Sequence, residues 1–337
     1  MPFLEAMGSS LASGKHGGVS NRNRGRGHRL PIWWLMATLT AFRRCQPDGQ
    51  VPNSRALAVI GSARNDGARL SVSVVVFRPD VAALIRTLDT LRSAISTLND
   101  ERGPDGTTIF LVDNGGLPDV GSAVQSLHAV GADVAVLSGH GNVGYGRGHN
   151  IALQSVGSRY HLILNPDVDI EPSALADAIA FLDDKPEVGL LAPRIGDEHS
   201  ALQHLCRRFP SLVDLAVRGF IPVAWRKWFR RRLAHYEMRD VINDRDVVWD
   251  PPIVSGCFML FRTEVLKKLG GFDPRYFLYF EDYDLSLRTH DVARVAYVPS
   301  VRVIHHGGGA SRKGFAHIRM FAASAFKFYN RFGWRLW

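Results

Sequence analysis

Leu70–Phe77 read LSVSVVVF, an unbroken apolar and β-branched run of the kind that forms a strand buried on both faces. From Asp80 to Leu98 the apolar residues Leu84, Leu88, Leu91, Ile95 and Leu98 recur at three- and four-residue spacing, which predicts a helix with one buried face. A second apolar run, TTIFLVD at 107–113, stops at the turn sequence Asp113-Asn114-Gly115-Gly116. Strand, helix and strand in that order make a βαβ unit. The alternation continues through a helix near 120–129, the strand DVAVLS, a helix near 147–156, the strand HLILN, a helix near 172–183 and the strand VGLLAP. Repeated βα units imply a mainly parallel sheet covered by helices.

Beyond Pro193 the pattern loosens. Residues 196–246 are polar and partly helical, and Ala224–His235 read AWRKWFRRRLAH. The pattern recovers with PPIVSGCFMLFR as a strand, Thr263 to Leu269 as a helix, a helix beginning near Glu281, and RVAYVPS and VRVIHH as two short strands. An amphipathic helix from His317 to Phe332 completes the reading.

The 337 residues, 46% hydrophobic and 22% charged, can bury a large core. The net charge of +9 is concentrated in residues 1–69, with ten Lys/Arg against three Asp/Glu; residues 70–337 hold 31 against 29. The part that folds is therefore nearly neutral and offers no general nucleic-acid footprint. Composition favours a disordered basic extension over residues 1–69. Its apolar run, PIWWLMATLTAF at 31–42, is too short to span a bilayer. Cys45, Cys206 and Cys257 are far apart and form no CxxC pair, which argues against a disulfide framework or zinc site and fits a reducing cytosol.

Several strand ends carry groups suited to ligands, because open α/β sheets bind ligands at the carboxyl ends of their strands. Asp113 is placed to accept from a base or ribose, although Asp-Asn-Gly-Gly is also ordinary turn chemistry. The loop GNVGYGRGHN has glycines at 144, 146 and 148 between Asn142 and Asn150, just before a helix. It reads either as a nucleotide site or as a plain turn. It follows the third strand, not the first, which argues against a nicotinamide or flavin enzyme. HLILN runs into Pro166-Asp167-Val168-Asp169, where Asp167 suits Mg²⁺ or Mn²⁺ on a substrate diphosphate and Asp169 suits a turn or helix cap.

The acidic cluster Glu281, Asp282 and Asp284 follows Tyr276, Phe277, Tyr279 and Phe280. Aromatic neighbours desolvate a carboxyl and make it a better base near neutral pH. Helical spacing puts Glu281, Asp284 and Arg288 on one face as an ion-pair set and turns Asp282 about 100° away, free for catalysis. His305 and His306, ahead of Gly307-Gly308-Gly309, read as metal or phosphate contacts or as buried hydrogen-bonded histidines. The 224–235 cluster reads as a solvated face, an anionic-leaflet or pyrophosphate contact, or a stacking surface for nucleic acid.

In order and spacing, VDNGG, GNVGYGRGHN, LNPDV, SGCFMLFR…GGFDPRYFLYFEDYDLSLR and HHGGGAS resemble the family 2 inverting glycosyltransferases of the GT-A fold, and among them the bacterial rhamnosyltransferase-type enzymes. The resemblance covers about residues 70–335 and departs at Phe77-Arg78-Pro79-Asp80. It implies a Rossmann-like, mainly parallel sheet flanked by helices, with a C-terminal acceptor-side subregion. The GT-A domain would span 70–316, divided into a nucleotide-sugar part (70–193) and an acceptor part (194–316), followed by a C-terminal amphipathic helix over 317–337. It further implies that Asp113, Asn114, Asn142, Gly144, Tyr145, Gly146, Asn150 and Asp167 meet the sugar nucleotide, that Asp167 and His305 hold Mg²⁺ or Mn²⁺, and that Asp282 is the catalytic base. The implied donor is dTDP-L-rhamnose, with galactofuranose or another activated hexose as the alternative. The implied acceptor is a polyprenyl-diphosphate-linked saccharide, met from the cytoplasm by peripheral contact with the inner membrane during cell-surface polysaccharide assembly.

Two readings from other classes explain less. A glycoside hydrolase needs two carboxylates flanking a sugar but not the glycine loop or LNPDV. A nucleic-acid-binding module uses the basic segments and leaves the ordered carboxylates without a role.

Overall fold

The computed structural model describes residues 58–60, 67–221, 223–306 and 315–337. Nearly all of the basic extension, with PIWWLMATLTAF and Cys45, lies outside the described residues, as does the Gly307–Ser311 part of HHGGGAS.

Strands β1 (Ala58–Ile60), β2 (Leu70–Phe77), β3 (Thr107–Gly115), β4 (Ala132–Ser138), β5 (Tyr160–Leu164), β6 (Val168–Ile170), β7 (Val188–Gly196), β8 (Val248–Trp249), β9 (Phe258–Arg262) and β10 (Arg294–His305) form one sheet. Its order is β1-β4-β3-β2-β5-β9-β7-β10-β6, with β8 also on β10. The run β4-β3-β2-β5 is parallel, as the repeated βα units predict. β9 is antiparallel to both β5 and β7 and joins that run to the parallel pair β7-β10.

Helix α1 (Val81–Arg102) begins where the Asp80 carboxylate accepts from the Ala83 N–H, a side-chain N-cap. Its stripe of Leu84, Leu88, Leu91, Ile95 and Leu98 is buried against Leu70, Val72, Val74 and Val76 of β2. α2 (Gly121–Ala129) and α4 (Ala174–Asp184) complete that face, while α3 (Tyr145–Leu153) lies on the opposite face over Val75, Phe110 and Val112.

After β7 the chain builds α5 (Leu212–Phe220), α6 (Val223–Arg226), one 3₁₀ turn (Lys227–Phe229) and α7 (Arg230–Tyr236) before returning to β8. α8 (Thr263–Lys268) follows β9, α9 (Glu281–Thr289) carries the acidic cluster, and α10 (Phe315–Phe332) buries Phe328 and Tyr329 against Tyr276, Phe280 and Tyr283.

Two local expectations change. RVAYVPS and VRVIHH are one strand, β10, whose register on β7 shifts between Val298 and Arg302; Pro299 lies in that interval and has no N–H for the ladder. Asp169 is not a helix cap. It lies in β6, and the helix after it starts at Ala174 behind Ser173, which makes no side-chain cap.

Candidate active site

β3 delivers Asp113 and Asn114 to the end of the sheet. One Asp113 oxygen, Oδ1, accepts from the Gly115 and Leu117 N–H groups at 2.8 and 3.2 Å and closes the turn. Asn114 is buried; its Nδ2 donates to the Gly144 carbonyl at 3.0 Å, and its Oδ1 is 3.0 Å from His140 Nε2. Asn142 Oδ1 accepts from the Gly144 N–H at 3.1 Å. Asn114 and Asn142 thus fasten the two motifs to each other.

Gly144, Gly146 and Gly148 of GNVGYGRGHN admit protein, not open space. A Cβ on Gly144 would stand 2.3 Å from the Phe277 carbonyl oxygen, on Gly146 2.7 Å from Phe272 Cβ, and on Gly148 2.8 Å from Val75 Cγ2. Gly144 also has φ +93°, a conformation that costs L-residues energy. Asn150 Oδ1 accepts from the Phe272 N–H at 2.9 Å and its Nδ2 donates to the Phe272 carbonyl at 2.7 Å. The loop is therefore clasped to the GGFDPRYF segment ahead of the acidic cluster. Tyr145 extends the clasp inward, its hydroxyl donating to the Gly256 carbonyl at 2.6 Å.

Asp167 follows β5. The antiparallel pairing of β6 with β10 places Val168 opposite His305, and the His306 N–H donates to the Asp167 carbonyl at 3.0 Å. The Asp167 carboxylate then meets His305, Oδ1 to Nε2, at 3.5 Å. Burial works against ionisation of Asp167, but contact with His305, together with hydrogen bonds from the backbone and Asn165, outweighs it and holds the carboxyl below its ordinary range. His306 turns elsewhere: its Nε2 is 2.6 Å from Asp169 Oδ2 and its Nδ1 3.5 Å from Glu198. Among the described residues no group of three or more His, Cys, Asp or Glu could hold a metal ion unaided.

Asp282 stands in the first turn of α9. The Gly256 N–H donates to Oδ2 at 3.1 Å and the Tyr283 N–H to Oδ1 at 3.0 Å. Gly256 has to be small, because a Cβ there would meet Asp282 Cβ at 3.1 Å. Tyr279 and Phe280, just before the helix, have φ values of +72° and +65°. Backbone strain of this kind, about 1–3 kcal/mol per residue, persists only where surrounding packing enforces it. Phe280 is fully buried between Tyr283, Phe321 and Phe328. Burial pushes Asp282 above the ordinary carboxyl range against the pull of its two N–H donors. The Asn165 N–H, two residues before Asp167, donates to the Cys257 carbonyl at 2.9 Å, so the strand end leading to Asp167 and the Asp282 carboxylate both meet the Gly256-Cys257 segment.

A family model described as "Glycosyltransferase like family 2" matches residues 71–329. The chain belongs to this glycosyltransferase family. Relatives include an N-acetylglucosaminyl-diphospho-decaprenol L-rhamnosyltransferase of Mycobacterium tuberculosis, 28% identical over 213 residues. That match covers 59% of this chain and 66% of the relative, just short of two thirds of its length. Rhamnosyltransferase WbbL of Escherichia coli is 29% identical over 214 residues, covering 60% of this chain and 75% of the relative. Among solved structures, TarS of S. aureus is similar with a TM-score of 0.47 at 15% identity, over 78% of this chain and 72% of that one.

The acidic cluster divides differently from its helical spacing. Asp284 is fully buried and accepts from Arg288 Nε at 2.6 Å and Arg331 Nη1 at 2.8 Å. Glu281 does not join them. It is buried with Oε2 lacking a hydrogen-bond partner, and burial together with the Asp282 charge pushes its carboxyl up to about 8. Asp282 is the half-buried carboxyl of the adjacent pair and the one held by N–H donors, so Glu281 keeps the proton at neutral pH. The aromatic wall also divides: Tyr276 and Phe280 are core residues, Phe277 is 39% exposed, and Tyr279 bonds His317 at 3.0 Å. The main participants missed in the sequence are the Gly256 amide and the neutral Glu281; the Ser-Gly-Cys step before β9 signalled the former.

A folded-state value near 8 lies above the ordinary 4.5 of a glutamate, so the native protein keeps a proton that the unfolded chain releases. Stability from this group is fully present below about pH 4.5 and is lost as pH rises through 8, by at most about 1.4 kcal/mol per pH unit. Glu281→Gln is expected to flatten the fall in melting temperature between pH 5 and 8.5. Parallel wild-type and variant profiles would contradict this assignment.

Proposed function

We propose that the protein is an inverting glycosyltransferase that moves a sugar, L-rhamnose from dTDP-L-rhamnose, onto a polyprenyl-diphosphate-linked saccharide in cell-surface polysaccharide assembly. The observation that carries the reading is the setting of Asp282: both oxygens held by backbone N–H groups, half-open to solvent, on the Gly256-Cys257 segment that also binds Asn165, two residues before Asp167. The relatives' names support the sugar and the lipid-linked acceptor. Such an acceptor requires contact with the inner face of the cell membrane. No described helix is long and apolar enough to cross one.

In this mechanism Asp282 takes the proton from an acceptor hydroxyl while that oxygen attacks the anomeric carbon from the face opposite the diphosphate. The new glycosidic C–O bond forms as the bond from the anomeric carbon to the diphosphate oxygen breaks, and its electron pair leaves with the nucleoside diphosphate. No enzyme nucleophile takes part, so configuration inverts. Asp167 and His305 are the residues that would hold Mg²⁺ or Mn²⁺. The buried Asp167 Oδ1, without a hydrogen-bond partner, and the adjacent imidazole suit such an ion. When bound, the ion offsets charge on the leaving diphosphate. Asp113 keeps Oδ2 for the base or ribose, since Oδ1 is committed to the turn. Asn114, Asn142, Gly144, Tyr145, Gly146 and Asn150 support the donor pocket by fixing its loops.

Thermal stabilisation by a panel of nucleotide sugars, with and without Mn²⁺ or Mg²⁺, tests the donor site. With dTDP-L-rhamnose at a hundred times its Kd, stabilisation of about 2.7 kcal/mol is expected. The metal-dependent part is expected to vanish in Asp167→Ala. Stabilisation by a galactofuranose or hexose donor alone would replace rhamnose, and none from any donor with metal present would sink the reading.

A further inference from the structure

Between Leu215 and Tyr236 the chain carries six Arg/Lys and no Asp or Glu. Trp225 and Trp228 are 61% and 75% exposed, with rings stacked at 6.0 Å. Lys227, Arg230 and Arg231 beside them are exposed and form no ion pair with the described residues. Arg226, Lys227, Arg230 and Arg239 rim a cavity of about 230 Å³ floored by Leu233 and Ala234. Arg232 is used differently: it bonds Asp214 at 2.7 Å and the Ser211 hydroxyl at 2.6 Å, so it anchors α7 to α5.

The same corner continues into the last residues of the chain. The Arg232 guanidinium lies 4.3 Å from the Trp337 ring centroid, and the Leu212 N–H donates to the Arg335 carbonyl at 2.8 Å. Leu336 and Trp337 are 69% and 81% exposed. The corner also touches the base helix. The hydroxyl of Tyr236, at the end of α7, is 2.9 Å from that of Tyr283, the neighbour of Asp282. Seven helical residues span about 10 Å, so Arg230 lies that far along α7 from the Tyr236 contact.

Exposed tryptophans with unpaired cations are the chemistry of an anionic bilayer surface, where indoles settle at headgroup level and Arg and Lys meet phosphate. Trp225 and Trp228 present ring faces to each other, which leaves those faces less available to stack nucleic-acid bases. We propose that Trp225, Trp228, Lys227, Arg230 and Arg231 form a docking surface for a bilayer with anionic headgroups, bringing α9 and Asp282 to acceptors held there. This rests on the lipid-linked acceptor reading above.

Co-sedimentation of the full chain with phosphatidylcholine vesicles, with and without one-quarter phosphatidylglycerol, tests it. The wild type is expected to bind anionic vesicles at least tenfold more tightly than neutral ones, with salt sensitivity. Trp225→Ser/Trp228→Ser and Lys227→Gln/Arg230→Gln/Arg231→Gln should each lose tenfold or more of that binding. Unchanged melting temperature and donor-dependent stabilisation would show both variants folded. Wild-type binding by the variants, no preference for anionic vesicles, or full displacement by equimolar RNA that the vesicles cannot reverse would each overturn the proposal. Vesicle binding without donor stabilisation would instead strike only the glycosyltransfer reading.

Discussion

Asp282→Asn is expected to lower the transfer rate by about 10²–10⁴-fold, the usual contribution of a general base, while dTDP-L-rhamnose still stabilises the protein. In the proposed mechanism the carboxylate has two jobs, each through a different property. Its charge lets it accept the acceptor's proton, and its two equivalent oxygens each accept one N–H, from Gly256 and Tyr283. An amide preserves shape but turns one acceptor into an NH₂ that faces a donor. A stability loss of about 1–3 kcal/mol should therefore accompany the rate loss. Measuring the rate with donor and metal saturating, beside the melting temperature, separates the two. Transfer within threefold of wild type, with donor bound normally, would remove Asp282 from the role of base.

Asp284→Ala should produce the largest stability loss, about 3–5 kcal/mol, because one partner of a buried ionic set is removed and the others are left behind. Arg288 would keep its bonds to the Leu269 and Gly271 carbonyls and Arg331 its contact with Asp273, but neither would keep the carboxylate between them. Asp284 is fully buried while Arg331 is 34% exposed, so Arg331 recovers some hydration and the loss should lie toward the lower figure. Denaturant unfolding at pH 7 measures it. Arg331→Ala should cost less than Asp284→Ala, and a loss below about 1 kcal/mol in Asp284→Ala would show that the set adds little.

The first half of the fold is legible in the sequence because its signals are local. LSVSVVVF is buried on both faces and reads so; the α1 stripe is periodic and buries each residue it marks. The position of Asp282, turned away from Asp284 and Arg288, also follows from helix geometry alone. What is not legible depends on partners distant in the chain. Glu281 shares a helical face with Arg288, yet Arg288 is drawn to Asp284 and to carbonyls of the 269–271 turn, and Arg331 arrives from α10 to take the second oxygen. His305 and His306 look equivalent as neighbours, and only the β6-β10 register sends one to Asp167 and the other to Asp169. The alternate glycines look like a ligand cradle because the sequence shows their missing side chains and not the Phe272, Phe277 and Val75 that fill the space.

β7 and β9 pair in the sheet, yet some sixty residues, including α5, α6, α7 and β8, separate them along the chain. That excursion also returns to the sheet on its way, where β8 pairs with β10, whereas Asp113, Asp167 and the clasped glycine loop all precede it. It also touches the strand end that faces Asp167: Gln203 donates to the His305 carbonyl at 3.2 Å and Glu198 lies 3.5 Å from His306. The excursion reports its shape to the base helix at several points: Tyr236 meets Tyr283, the Val254 N–H donates to the Ser286 hydroxyl at 3.2 Å, and Leu215 and Ile253 pack in one cluster with Tyr283. Remodelling that one loop-out would therefore be felt at both ends of the proposed site, at the Asp282 helix and at the His305-His306 strand end alike.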